Sequence, residues 1–366
     1  MSPELASVAR LRAVEVSGDP SAVEGPLSGY HHETYVFPLP GETASPHPVR
    51  WKCRDPRSNL LWFDRRCFVS EEALLKALAG RIPGIPDVFD VGGTGLQRFI
   101  EGRTLGSLHP SGAAVPEDVV RQIAELFTYM VQVTQDSLTI DRRCAHEDRP
   151  ADGDTDGFLK RLVLFTEKRV YEENLPRFGT LFKDLGVDAR SFKWLRSHVD
   201  GLSARPFCLL HADLHRENFI IDPRNGLWTI DWELAMVGDP LYDLATHLYL
   251  MRYPQWQERR MVELWCAAVE EIRPGSSKGL ERDLPLLIDY KKAQSVFTDV
   301  IREALSLASG PDAEDRLDRA GRKLHQILSA AAGPLGLDMV PSRGEIATAL
   351  VRWRRSHGNA DGTDFR

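Results

Sequence analysis

His211, Asp213 and Asn218 stand in the spacing HxDxxxxN, and 13 residues beyond Asn218 an apolar run ends in Asp231. These residue types suit a reaction in which a hydroxyl attacks a phosphoryl group. Such a reaction needs one group to orient or deprotonate the hydroxyl, and hard oxygen ligands for a magnesium ion that keeps some of its waters. Residues 219–221 and 227–230 read as a hairpin turning over 223–226, which would bring Asn218 and Asp231 together as two oxygen ligands at adjacent strand ends. A lone HxD could instead be a loop capping its own turn, because aspartate often bonds neighbouring backbone N–H groups. The added presence of Asn218 and Asp231 favours chemistry.

The elements that must position these residues are legible in outline. Residues 12–40 read as alternating short strands joined by the glycine-bearing turn EGPLSGY, and PVRWKC reads as a third strand. SEEALLKALAGRI is a helix with Ser70 as its N-cap, and IPGIPDVFDVGG and LQRFIEG are two more strands around a glycine turn. A small antiparallel sheet with one helix is thus complete by Glu101. From Glu117 the pattern changes to amphipathic helices, first EDVVRQIAELFTYMVQVTQ and then DGFLKRLVLFTEKRVYEENL, separated by the polar loop RRCAHEDRPADGDTDG. Helices continue through VELWCAAVEEI, LLIDYKKAQSVFTDVIREAL and RLDRAGRKLHQIL, and the last residues, HGNADGTDFR, should fray. The expected division is residues 1–101 and 102–366.

Composition narrows the function classes. With 366 residues and 42% of them hydrophobic, the chain can fill one large two-lobed domain or two ordinary ones. Five scattered cysteines without a CxxC pair point to reduced thiols and a cytoplasmic setting. The N-terminus lacks the apolar run of a signal peptide, and no stretch of 18 uninterrupted apolar residues occurs, so neither secretion nor a membrane partner is expected. The net charge of −7, with no basic half, argues against nucleic acid as a partner and leaves a cationic substrate open.

Residues 208–250, CLLHADLHRENFIIDPRNGLWTIDWELAMVGDPLYDLATHLYL, resemble the aminoglycoside phosphotransferase and choline kinase superfamily. Its members carry a similar HxDxxxxN...IDxE...GDPxYDLA segment on a protein-kinase-like fold. The resemblance implies that Asp213 is the catalytic base, that Asn218 and Asp231 hold magnesium, and that His211 braces the catalytic loop. Glu233 resembles the acidic residue many small-molecule kinases have two beyond the metal aspartate. Asp239 and Asp243 resemble structural anchors, with Asp243 expected to cap a helix. Upstream, Lys52 in VRWKC matches the lysine that grips the α- and β-phosphates. Glu71 is its expected partner: Glu71, Leu74, Leu75 and Leu78 share one helical face, which points Glu71 inward and Glu72 away. Ser28 and Gly29 in GPLSGY resemble the phosphate-covering turn, and LQRFIEG resembles the segment joining the lobes, where backbone groups near Phe99 and Ile100 would pair with adenine.

The resemblance therefore implies an α+β, bilobal protein-kinase-like fold, with a small N-terminal antiparallel sheet plus one helix and a larger, mainly helical C-terminal lobe. Residues 1–101 would bind nucleotide and residues 102–366 would carry catalysis and substrate. The implied function is magnesium-requiring transfer of the γ-phosphoryl group of ATP, with GTP as an alternative donor, onto a hydroxyl of a small molecule. Acceptor classes are an aminoglycoside-like antibiotic, an amino alcohol or a sugar. A second reading is phosphorylation of Ser/Thr in a precursor peptide of lanthipeptide-type biosynthesis, with a partner protein. A third is a catalytically silent scaffold, and a fourth is a metal-dependent hydrolase using His211, Asp213, His215 and Asp231. His215 and Arg216 could touch the γ-phosphate or brace the loop, and both roles stay open. Arg54, Arg57, Arg65 and Arg66 could hold an acidic substrate, although a charged loop is usually just solvated, and that is the favoured reading.

Overall fold

The computed structural model describes residues 7–27, 32–41, 49–56, 65–144, 146, 149–308 and 313–357. The chain begins with α1 (Val8–Ser17), β1 (Glu24–Leu27), β2 (His32–Pro38), β3 (Arg50–Pro56), α2 (Glu71–Leu78), β4 (Val88–Val91) and β5 (Thr94–Arg98). It continues through β6 (Arg103–Thr104), α3 (Leu105–Leu108), α4 (Glu117–Val131), α5 (Thr155–Phe165), α6 (Leu175–Asp184) and α7 (Ala189–His198). Next come β7 (Cys208–Leu210), β8 (Phe219–Ile221), β9 (Leu227–Thr229), β10 (Met236–Gly238) and α8 (Pro240–Met251). The long helices α9 (Gln255–Ile272), α10 (Leu280–Ala308), α11 (Ala313–Leu335) and α12 (Arg343–His357) follow. The expected order, an antiparallel sheet and then mainly helices, is the one observed. Among the described residues no helix is long and apolar enough to cross a membrane.

The fold separates into two compact units: Met1–Cys144 with Cys208–Val237 and Leu250–Arg273, and Ala145–Phe207 with Gly238–Tyr249 and Pro274–Arg366. The boundary expected at Glu101 lies inside the first of these. In the first unit five antiparallel strands run in the order β1-β2-β3-β5-β4, and a second sheet has the order β6-β8-β9. Residues 12–17, expected as strand, belong instead to α1, so the sheet carries a helix on each face. Ser7 caps the start of α1 and Gly18, at φ +70°, ends it. The apparent alternation of LRAVEV gives way because Ala9 and Ala13, four residues apart, bury completely against Tyr35, Phe37, Cys53 and Leu96 of the sheet. Burying that face outweighs the modest strand preference of the valines. On the other side of the sheet, Ser70 caps α2 by accepting from the Ala73 N–H, as its sequence position predicts. Further along this unit, α4 packs on α9 through buried Val120, Ile123, Met261 and Trp265.

The second unit is helical around an aromatic core, in which Phe192 stacks on Phe297 at 4.4 Å and Tyr171 meets Phe182 edge-on at 5.3 Å. Beside this core lies a fully buried charge cluster. Arg205 grips Asp239 with two bonds of 2.7 Å, reaches Asp283 at 2.6 Å and bonds the Lys278 carbonyl at 2.7 Å. Asp239 is thus a structural anchor, as expected. The capping role expected of Asp243 falls to Asp239, whose carboxylate accepts the Leu241 N–H at 3.0 Å. Asp243 sits inside the first turn of α8, beyond the position from which a side chain caps.

Candidate active site

Strand alternation on β3 decides which side chains face the chemistry. Cys53 turns into the core with α1, and Asp55 pairs with Arg12 on that same side at 2.6 Å. Lys52 and Arg54 therefore share the opposite face. The register Val36↔Lys52, Thr34↔Arg54 and Lys52↔Gln97 adds Gln97 of β5 to that face. Against it lies α2, whose buried residues are Glu71, Leu74, Leu75 and Leu78, the stripe read from the sequence.

The partner of Glu71 differs from the expected one. Its carboxylate forms an ion pair with Arg54 rather than with Lys52. Three groups fix it there: the Arg54 guanidinium, the Gln97 amide at 2.9 Å, and the Trp232 backbone N–H at 2.7 Å. Gln97, directly across the ladder from Lys52, supplies the donor on the Lys52 side and also reaches Glu72 at 3.0 Å. Arg54, one pleat further along β3, has the longer, forked head that spans from Glu71 toward Asp231, at 3.4 Å from its Oδ1. Among the described residues Lys52 makes no direct ion pair. Burial first, and then the charge of Arg54, press its ammonium down to a pKa of about 8, against the pull of Asp231, Glu72 and Glu233.

The HxD segment leaves β7, which is anchored by the Leu209 N–H on the Val133 carbonyl at 2.7 Å. Ala212 and Asp231 both hold left-handed backbone, each at φ +65°, so two of the non-glycine residues in this conformation lie at the candidate chemistry. His211 is fully buried, with Nε2 3.1 Å from the Ile230 carbonyl and its ring 4.7 Å from that of Trp232. Burial lowers its pKa to about 4, so it stays neutral and braces the loop, as the resemblance implied. The β8–β9 hairpin forms with Phe219 opposite Thr229, and the Ile230 N–H donates to the Asn218 carbonyl at 3.0 Å. Asn218 and Asp231 consequently emerge side by side.

Asn218 turns its amide nitrogen to Asp213, donating to the backbone oxygen at 2.9 Å and to Oδ2 at 3.2 Å, which leaves its amide oxygen at the other end. His215 Nε2 lies 3.3 Å from the same Oδ2. Burial alone would lower the pKa of His215, but the hydrogen bond and charge of Asp213 outweigh it and raise the value. Asp231 behaves in the converse way: burial would raise its pKa, yet the charges of Arg54 and Lys52 hold it below the usual carboxylate range. Glu233 is buried beside Asp231 and bonds Arg66 at 2.7 Å, with His32 3.6 Å away. Burial and Arg54 lower the pKa of His32 to about 4.

Arg216 resolves the choice left open by the sequence. Its guanidinium is spent on three backbone carbonyls, those of Met251 at 2.9 Å and of His109 and Ala113 at 2.8 Å. It braces the loop. His215, by contrast, touches Asp213 and belongs to the site. Arg54 and Arg66, expected as solvated, expose only 13% and 18% of their side chains and bind carboxylates. For Arg54 the signal was present, since it follows Lys52 by two on a strand. For Arg66, outside any strand, none was. Phe99 donates its N–H to the Arg50 carbonyl at 2.8 Å, and its ring lies under the Arg50 guanidinium at 4.7 Å, while Ile100 is buried. Of the groups expected to meet adenine, the Phe99 amide is therefore already engaged. Ser28, Gly29 and Arg57 lie outside the described residues.

Residues 24–281 match the model of the phosphotransferase enzyme family, which is more than half of the chain. The protein belongs to that family. It is a phosphotransferase by that membership. Solved structures share its fold at low identity. A choline/ethanolamine kinase family protein from Mesorhizobium loti is 16% identical, with 93% of this chain and 97% of that one covered and a TM-score of 0.51. A candidate aminoglycoside phosphotransferase from Ralstonia eutropha is 14% identical, with 90% and 98% covered and a TM-score of 0.52. The APH(2″)-IIa protein solved with gentamicin is 15% identical, with 91% and 99% covered and a TM-score of 0.51.

Proposed function

We propose that the phosphotransferase moves the γ-phosphoryl group of ATP, bound with magnesium, onto a hydroxyl of a small molecule: an aminoglycoside-like antibiotic, an amino alcohol or a sugar. The observation that carries this reading is the convergence of Asp213, Asn218 and Asp231 on one loop and hairpin, with Lys52 on the strand facing them. The donor set fits magnesium. Asp231 is held ionised and Asn218 keeps its amide oxygen free of Asp213, which gives two hard oxygens. Among the described residues no group of three His, Cys, Asp or Glu side chains could cage a metal, in keeping with an ion that takes one or two protein ligands and completes its shell with water and phosphate oxygens.

Asp213 Oδ2 is occupied by Asn218 and His215, and among the described residues Oδ1 accepts no hydrogen bond. Oδ1 is the atom that orients the acceptor hydroxyl and takes its proton. Lys52 steadies the phosphates, and Glu71, fixed by Arg54, Gln97 and Trp232, holds α2 and the β9 end together around it. Magnesium, when bound, offsets the charge on the phosphates. On this reading residues 1–101 form the nucleotide lobe, residues 102–366 carry catalysis and acceptor binding, and the protein works in the cytoplasm. His211 is committed to bracing and so is a poor metal ligand, which disfavours a hydrolase. The filled polar positions disfavour a silent scaffold.

A thermal-shift series with ATP, GTP or neither, each with and without magnesium, tests the proposal. The expected result is a magnesium-dependent stabilisation that Lys52→Ala and Asp231→Ala remove. The preferred donor is then used to screen small-molecule acceptors beside a Ser/Thr peptide. Absence of any shift in every condition would overturn the reading.

A further inference from the structure

The expected lysine–glutamate pair is replaced here by an arginine bridge. Arg54 holds Glu71 with one end of its fork and stands 3.4 Å from Asp231 with the other, while its Nε lies 3.9 Å from Glu72. Glu71 is 3% exposed and fully engaged, so the pair with Arg54 is fixed, whereas Asp231 is 38% exposed and its contact is long for a charged hydrogen bond. One carboxylate is therefore the anchor of the guanidinium and the other its loose partner. Lys52 brings a second positive charge to the same sheet face.

We propose that Arg54 is a positioning residue that stands in for the divalent cation at Asp231 in the nucleotide-free protein and makes the site selective for the metal–nucleotide complex over the free metal. The physical basis is charge. A lone divalent ion arriving at Asp231 meets Arg54, and Lys52 near it, and these repel it at close range in a partly buried site. The same ion carried by a polyphosphate arrives with excess negative charge, which both cations attract. Arginine suits the task because it remains charged and its planar fork reaches two carboxylates, which a lysine ammonium does not do in the same geometry. The inference deepens the magnesium–nucleotide reading above and rests on it.

Binding of Mn2+, a spectroscopic substitute for magnesium, measured by electron paramagnetic resonance with and without ATP, tests it without any turnover. Arg54→Met should bind free Mn2+ at least tenfold more tightly than wild type, Arg54→Lys should fall between them, and adding Asp231→Asn to Arg54→Met should abolish the gain. Because Arg54→Met leaves Glu71 buried without its counter-charge, the double variant Arg54→Met/Glu71→Gln provides the same comparison with both charges removed. Unchanged or weaker free Mn2+ binding in these folded variants, with Mn2+–ATP still bound at Asp231, overturns the role of Arg54 and leaves the kinase reading intact. Mn2+ that binds at Asp231 in no variant, even with ATP, overturns both.

Discussion

Replacing Arg205 by methionine removes the cation that grips Asp239 and bridges it to Asp283, two completely buried carboxylates, and leaves Asp283 with Arg282 at 2.7 Å as its remaining cation. Methionine fills most of the volume, so the loss is electrostatic. Four short bonds disappear, two of 2.7 Å to Asp239, one of 2.6 Å to Asp283 and one of 2.7 Å to the Lys278 carbonyl. Breaking a buried pair by deleting one partner costs about 3–5 kcal/mol. At about 2–4 °C per kcal/mol for a unit of this size, Tm should fall by roughly 6–20 °C. The loss should also depend on pH. Burial raises the Asp239 pKa and Arg205 opposes that rise, so the variant should raise it further. A carboxyl whose folded pKa is raised binds its proton more readily when folded, so its penalty is full above that pKa and is relieved as pH falls through it. Differential scanning fluorimetry at pH 8 and pH 5 should therefore show the larger deficit at pH 8. The triple variant that adds Asp239→Asn and Asp283→Asn should recover part of it. A fall below about 2 °C, set against the several degrees expected here, or a deficit equal at the two pH values, would refute the view that this cluster is held by charge.

Three further outcomes follow from the site. Asp213→Asn should lower kcat by about 10²–10⁴, the usual contribution of a positioned base, while the magnesium–nucleotide thermal shift is kept; retained turnover would remove Asp213 from that role. His215→Gln should destabilise the protein more at pH 6 than at pH 9. The raised pKa of His215 means that its pairing with Asp213 is complete at low pH and is lost as pH rises through the folded value, and melting curves across that range check the sign. Gly84→Ala should destabilise by about 1–3 kcal/mol in chemical denaturation. Gly84 holds φ +67°, and an added Cβ would stand 2.4 Å from the Leu227 carbonyl oxygen on the hairpin that presents Asn218 and Asp231.

Much of the site was legible in linear order because its chemistry is local. Asp213 and Asn218 share one loop, Asp231 ends the neighbouring hairpin strand, and Ser70 with the stripe of Leu74, Leu75 and Leu78 settles α2 and the direction of Glu71. Spacing and periodicity carry such information directly. Tertiary structure decided what depends on meeting a distant surface. Val8–Ser17 is a helix because Ala9 and Ala13 find the sheet, although the local sequence reads as strand. Glu71 chooses Arg54 over Lys52 because Gln97 from β5 and the Trp232 amide fix where its carboxylate lies, and the guanidinium alone spans from there to Asp231. Arg216 spends its charge on carbonyls 35 to 107 residues away in the chain, which no local pattern announces. A sequence fixes which charges exist and their order along each element; their pairing is set only when folding removes them from water and leaves each buried charge to the partner within reach.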